Sequence, residues 1–105
     1  MILVKPGVVF TQLRKEIYSI LPILDSVFEE EGLNCVITSA EDGKHMRWSK
    51  HDEGLALDLR VFHMTKDQRH LVVDSLRNLL NRPRHMYDIV LEKDHIHIEH
   101  DPRNP

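Results

Sequence analysis

The segment SKHDEGLALDLR, residues 49–60, constrains the fold most because it joins a glycine to a strand-like pattern with two unlike faces. Its last six residues alternate three leucines with alanine, aspartate and arginine, which predicts a β-strand. A helix is disfavoured, because Gly54 in its interior would cost about 1 kcal/mol relative to alanine. His51 and Asp58 would point to opposite faces of one continuous strand. We therefore predict that the chain turns at Gly54, with His51 in the turn and Asp58 in the strand.

Two helices are predicted from apolar spacing. Over residues 13–31 apolar side chains recur at helical intervals, and Pro22 within them predicts either a kink or a helix that begins nearby. Gly32 is typical of a helix end. Thr65 and Gln68 form a capping box for a second helix, which Pro83 ends. Its apolar stripe is predicted to comprise Leu71, Val72, Leu76, Leu79 and Leu80.

The remaining strands complete the predicted fold. Residues 34–39 (NCVITS) form a β-branched run, and residues 87–91 and 95–100 indicate two strands joined by the short connection 92–94. With the strand after Gly54, this order predicts an α+β fold in which a small, mostly antiparallel sheet packs with two main helices. At 105 residues the chain is predicted to be one domain, residues 1–105.

Composition excludes several classes of function. The formal net charge of −3 disfavours a protein that binds nucleic acid by neutralising phosphates. Cys35 is the only cysteine, which rules out an intrachain disulfide and a thiolate-rich zinc site. No apolar run has the length of a transmembrane helix or a signal peptide, so we expect no membrane partner and synthesis in a cytoplasm.

The segment EKDHIHIEH, residues 92–100, supplies a second group of possible metal ligands. In a strand, His95, His97 and Glu99 share one face, opposite the face of the two isoleucines. His97 with His51 and Asp58 makes a set of two imidazoles and one carboxylate, the composition of a catalytic zinc site with one open position. Such nitrogen and oxygen ligands suit zinc without excluding other divalent metals. Each segment alone is more often a solvated turn or an exposed strand than a site, so the prediction of a metal site depends on their combination.

The two segments together resemble a known family. The pattern S-x-H-x-x-G-x-A-x-D, filled by Ser49, His51, Gly54, Ala56 and Asp58, followed by DHIHIE, is similar to the motifs of the zinc D-Ala-D-Ala carboxypeptidase and L-alanyl-D-glutamate endopeptidase family. The superfamily also contains the hedgehog signalling domain. The likeness is greatest to short phage and prophage members, in which TS…DGKH precedes the first ligand, as in residues 38–45.

The resemblance implies a function and a set of site residues. His51, Asp58 and His97 would bind zinc, and Asp94 would be the general base. Glu92 is a rival for that role on the residues alone, because a flexible turn could present either acid. His95 would stabilise the oxyanion or hold the catalytic carboxylate. The implied reaction is hydrolysis of peptidoglycan peptide bonds that involve D-amino acids, by a carboxypeptidase or an endopeptidase. The alternative is a non-catalytic, zinc-containing binding or phage structural module on the same scaffold.

The sequence departs from the family at one loop. Many relatives carry S-G-x-R there, with an arginine that steadies the substrate carboxylate or the transition state, whereas this chain has SAED at residues 39–42. Arg47 and Arg60 are the candidates to replace that arginine. Because no signal peptide is recognised, the resemblance suggests phage-type release as the route to the cell wall.

Overall fold

The computed structural model of the chain describes residues 1–10, 13–40 and 54–102. These residues form an α+β fold in which a five-stranded mixed sheet packs with two main helices and a single helical turn. The elements in chain order are β1 (Ile2–Val4), α1 (Lys15–Tyr18), α2 (Leu21–Glu30), β2 (Cys35–Ser39), β3 (Ala56–Arg60), α3 (Lys66–Leu80), β4 (Tyr87–Leu91) and β5 (His95–His100).

The sheet has the strand order β1-β2-β3-β5-β4. Three of its neighbouring pairs are antiparallel, as predicted, whereas β1 pairs in parallel with β2. Strand β1 was not predicted, because an isolated run of three apolar residues has no periodicity that would separate a strand from a loop. Its place at the sheet edge is decided by pairing with β2, which lies some thirty residues further along the chain.

Pro22 lies at the beginning of a helix and does not kink one. Helix α2 begins at Leu21 and carries Pro22 in its first turn, where a proline removes no intrahelical hydrogen bond. The preceding turn α1 is a separate element. Gly32 has φ +70° just beyond α2, and the Leu33 amide donates to the Phe28 carbonyl oxygen at 3.0 Å, which confirms the predicted helix end.

Helix α3 has the predicted start but only part of the predicted stripe. The Gln68 amide donates to Thr65 Oγ1 at 3.1 Å and the Thr65 amide donates to Gln68 Oε1 at 3.0 Å, which confirms the capping box. The stripe was wrong at Leu71 and Leu79, which are 50% and 56% exposed, whereas Val73 is buried. Apolar side chains occupy a wider arc of this helix than its neighbours can cover. The way in which the helix packs therefore determines which of them are buried. No helix in the described part of the chain is long and apolar enough to cross a bilayer.

The hydrophobic core lies between the helices and one face of the sheet. Leu57 and Leu59 of β3 and Ile96 and Ile98 of β5 are fully buried there, together with Phe28 of α2. Because side chains alternate along a strand, the intervening residues of β3 and β5 point away from this core. The polar residues of β3 and β5 up to Glu99 therefore share the opposite face of the sheet.

The outer edge of β4 is covered by the end of α3. The Arg77 guanidinium donates to the Ile89 carbonyl oxygen, with Nη2 at 2.7 Å, and Asn81 Nδ2 donates to the Tyr87 carbonyl oxygen at 2.9 Å. Asn81 Oδ1 accepts in return from the Tyr87 amide at 2.7 Å. These contacts satisfy edge groups that would otherwise be open to another strand. They join α3 to β4, which pairs on its other side with β5, the strand that carries most of the candidate site.

Candidate metal centre

The pairing of β3 with β5 brings the two sequence motifs together. Asp58 lies directly opposite His97 in the antiparallel register, and Arg60 lies opposite His95. Asp58 Oδ1 is 2.9 Å from His97 Nδ1 and 3.7 Å from His95 Nε2. One ligand atom from each of Asp58, His95 and His97 lies within 4.8 Å of the other two, so these residues form a group that could hold a metal ion.

The chemistry of this group fits a divalent metal. Metal–ligand distances of about 2.0–2.2 Å place neighbouring donors roughly 3–3.5 Å apart in a tetrahedral site. The distances of 2.9 Å and 3.7 Å from Asp58 Oδ1 bracket that spacing. All three side chains are partly buried, which limits competition from water while leaving access from one side. Two imidazoles with one carboxylate suit zinc and several other divalent ions.

The predicted ligand set is brought together in part. Asp58 and His97 are neighbours, as predicted, and Gly54 has φ +73°, the left-handed conformation that the predicted turn needs. His51 lies outside the described residues. His95, which the resemblance places beside the zinc ligands, has its Nε2 directed at the same carboxylate oxygen as His97 Nδ1.

The two candidate bases have different surroundings. Asp94 Oδ1 lies 2.7 Å from His95 Nδ1, so these two side chains are hydrogen-bonded. That hydrogen bond lowers the pKa of Asp94, whose side chain is otherwise 68% exposed. Glu92 is exposed in the connection, and its amide donates to the His95 carbonyl oxygen at 2.8 Å. Asp94 borders an open cavity beside the metal centre, whereas Glu92 does not.

An open cavity of about 800 Å³ lies against Asp58, His95 and Asp94. Lys5 and Arg60 also border it, and neither cationic head group has an ion pair or hydrogen bond with another residue of the described ranges. Phe62 borders the same cavity and is 73% exposed. The cavity therefore combines possible metal ligands, a carboxylate, two cations and an aromatic ring.

Two of the residues that border the cavity, Lys5 and Phe62, are not predicted as site residues from the sequence. Lys5 follows β1, and its amide donates to the Ile37 carbonyl oxygen at 2.9 Å, so its place beside the site depends on a strand that was not predicted. Phe62 follows β3 and lacks any local pattern that would separate a cavity residue from a core residue. Arg60 had been a candidate for contact with substrate, and it borders the cavity. Arg47, the other candidate, lies outside the described residues.

His97 is enclosed by carboxylates. Its Nδ1 faces Asp58, and its Nε2 lies 2.8 Å from Glu99 Oε1, two residues further along the same face of β5. The hydrogen bond with Asp58, helped by that with Glu99, raises the pKa of His97, although burial opposes the rise. Glu99 also belongs to a second group of neighbouring acids, with Asp88 and Asp101.

Cys35 takes no part in this site. Its side chain is buried in the core cluster on the helix side of the sheet. Burial raises the pKa of its thiol to about 12, so the thiolate that would act as nucleophile or metal ligand is not formed near neutral pH.

The chain matches no protein-family model, no curated protein and no solved structure at a significant level. The likeness to zinc peptidases therefore remains one of sequence motifs.

Removal of Asp58 tests the metal centre directly. We expect purified wild-type protein to bind one equivalent of zinc, and Asp58→Ala to lose most of it, because Asp58 is the only carboxylate in the group that it forms with the two histidines. Metal content after dialysis against zinc buffer is the measurement. Asp88→Ala is the matched control, since it removes an acid from the second group only. Zinc retained in Asp58→Ala and lost in Asp88→Ala would place the metal in the second group.

The pKa of His97 gives a second test, in metal-free protein. Because the pKa of His97 is raised in the folded state, protonation of its ring stabilises the fold. This stabilisation is complete at pH values below the unfolded-state pKa of about 6.5, and it is lost as the pH rises through the folded-state pKa. We expect NMR titration of the His97 ring to give a midpoint above 6.5, and Asp58→Asn to lower it. The free energy of unfolding should fall across the same interval in wild type and fall less in the variant. A wild-type midpoint at or below 6.5 would contradict the described network.

Proposed function

We propose that the chain is a zinc-dependent peptidase of the hedgehog/DD-peptidase type that hydrolyses peptidoglycan peptide bonds involving D-amino acids. The observation that carries the proposal is the meeting of Asp58, His95 and His97 at positions that the two family-like motifs mark, with Asp58 and His95 lining an open cavity. A structural metal site is normally closed by four protein ligands, whereas Asp58 and His95 of this group border a space large enough for a peptide.

Zinc is the proposed metal, held by Asp58 and His97 together with His51. When bound, zinc supplies Lewis acidity that polarises a carbonyl group and lowers the pKa of water. The residues of the chain would hold the metal, with the partly buried carboxylate of Asp58 offsetting its charge. His95 lies close enough to Asp58 to join the ligands or to contact the developing oxyanion.

Asp94 is the proposed general base. Its carboxylate borders the cavity and is hydrogen-bonded to His95, which orients it towards the space that a substrate would occupy. An aspartate carboxylate is ionised at neutral pH, so Asp94 can accept a proton from the attacking water. The same carboxyl group then gives this proton to the leaving amine.

Lys5 and Arg60 supply the proposed contact with a substrate carboxylate. Both border the cavity, and within the described ranges their head groups have no other charged partner. Arg60 is two residues from Asp58 on the same face of β3, a separation of about 7 Å along the strand. That distance suits a substrate whose carboxylate lies one residue from the bond that is cleaved. Arg60 would thus replace the arginine that the SAED loop lacks.

The competing proposal is a non-catalytic binding module that retains the metal. The SAED loop, which lacks the arginine of many relatives, is the observation that favours it. Hydrolysis of peptidoglycan peptides by the zinc-loaded chain separates the two functions. An enzyme of this kind would reach its substrate through phage-type release from the cell in which it is made.

The general base is tested by comparing two acids in the same connection. We expect Asp94→Asn to lower kcat about 10²–10⁴-fold, because general-base catalysis contributes on that scale. Glu92→Gln should change kcat less than about threefold, since Glu92 does not border the cavity. Zinc content of each variant serves as the control for an intact site. Turnover that survives the double change Asp94→Ala with Glu92→Ala would exclude both residues as the base.

The contact with a substrate carboxylate is tested by comparing a peptide that has a free carboxylate with the matching peptide amide. We expect wild type to prefer a peptide with a free carboxylate next to the cleaved bond, and Arg60→Gln to lose about 10–100-fold in kcat/KM on it, as for a hydrogen bond between charged groups. The loss on the matching amide should be much smaller. Lys93→Gln is the control, because it removes a nearby cation that does not border the cavity. Equal losses on acid and amide would show that Arg60 does not contact the carboxylate.

A further inference from the structure

Both ring nitrogens of His97 have a carboxylate partner. Nδ1 lies 2.9 Å from Asp58 Oδ1, and Nε2 lies 2.8 Å from Glu99 Oε1. A neutral imidazole carries one N–H and one lone pair, so it can donate to only one of these oxygens. When His97 binds a cation it must be neutral, and one nitrogen must turn its lone pair to the metal while the other keeps the proton.

The surroundings decide which nitrogen keeps the proton. His95 Nε2 and His97 Nδ1 both face Asp58 Oδ1, so the three possible ligand atoms converge on the Asp58 side of the ring. Glu99 lies on the other side and is not a member of that group. The lone pair of Nδ1 is thus available to the metal, and the proton on Nε2 is available to Glu99.

Glu99 is well placed to hold that proton. It lies two residues from His97 on the same face of β5, opposite Ala56 of β3 and Asp88 of β4, so its backbone is fixed on both sides by the sheet. Its carboxylate is only partly exposed, and it lies within 4.8 Å of ligand atoms of Asp88 and Asp101. Two neighbouring acids make a donated hydrogen bond more favourable to Glu99, because the donor's positive end partly offsets the repulsion between the like charges.

We propose that Glu99 is a positioning residue that holds His97 in the tautomer with Nδ1 free for the metal, by accepting the hydrogen bond from Nε2–H. The proposal rests on the metal centre of the proposed function. Carboxylates of this kind fix ring orientation, and their loss typically lowers metal affinity 10–100-fold. Glu99 has no part in the reaction itself, so its effect is on metal affinity and on the state of the His97 ring.

The test measures zinc affinity by competition with a chromophoric chelator. We expect Glu99→Ala to bind zinc about 10–100-fold more weakly than wild type, and Glu99→Gln to recover part of the loss, because the amide oxygen still accepts a hydrogen bond. Asp101→Asn is the matched control, because it removes a charge from the same acidic group and leaves both the Asp58 and the Glu99 hydrogen bonds of His97 in place. It should change affinity less than about threefold. Far-UV circular dichroism of the metal-free variants confirms that each is folded.

The tautomer itself is read by NMR of zinc-loaded, nitrogen-15-labelled protein. Wild type should show a protonated Nε2 and a metal-bound Nδ1 for His97, and Glu99→Ala should show a changed ring signature. Metal on Nε2 in wild type, or equal affinities for Glu99→Ala and Asp101→Asn, would overturn the role of Glu99 while leaving the metal centre in place. Wild type that binds no zinc would overturn the metal centre, and the role of Glu99 with it.

Discussion

The pairing of β3 with β5 is the constraint on which the candidate site depends. It places Asp58 opposite His97 and Arg60 opposite His95, although the two segments are nearly forty residues apart in the chain. A slip of one residue in this register would turn Asp58 towards the core and a leucine towards the cavity. The fully buried Leu57, Leu59, Ile96 and Ile98 oppose such a slip, because the strand that slips would lose the burial of its two large apolar side chains. The hydrophobic face of the sheet thus sets the geometry of the polar face.

The polar face is a connected row of imidazoles and carboxylates. From Asp94 the hydrogen bonds and close contacts pass to His95, Asp58, His97 and finally Glu99. Acids outnumber histidines along this row, so without a cation the carboxylates are held close together at a cost in repulsion. The raised pKa of His97 is one consequence, because a proton on the ring partly compensates the surrounding negative charge. A divalent metal would compensate it more completely, which links the electrostatics of this face to the proposed function.

Features that depend on residues close together in the chain were predicted correctly from the sequence. The capping box at Thr65 and the glycine end of α2 depend on residues within one turn of each other, and both were predicted correctly. Strands β4 and β5 were predicted with their observed bounds, since alternation and a short connection lie within fourteen residues. Prediction failed for Leu71 and Leu79, which are apolar yet exposed, because the buried arc of α3 depends on how the helix docks. It failed also for β1, whose three residues form a strand only against β2.

The sequence by itself determined the candidate donors, the strand alternation that puts His95, His97 and Glu99 on one face, and the glycine with left-handed backbone before β3. These follow from the periodicity of a strand and the lack of a Cβ in glycine, which need no knowledge of distant residues. Only the tertiary structure decided that His95 joins Asp58 and His97, that Asp94 rather than Glu92 borders the cavity, and that Lys5 and Arg60 stand beside it. Those relations depend on strand order and register, which are settled by burying the apolar face of the whole sheet at once rather than by any one segment.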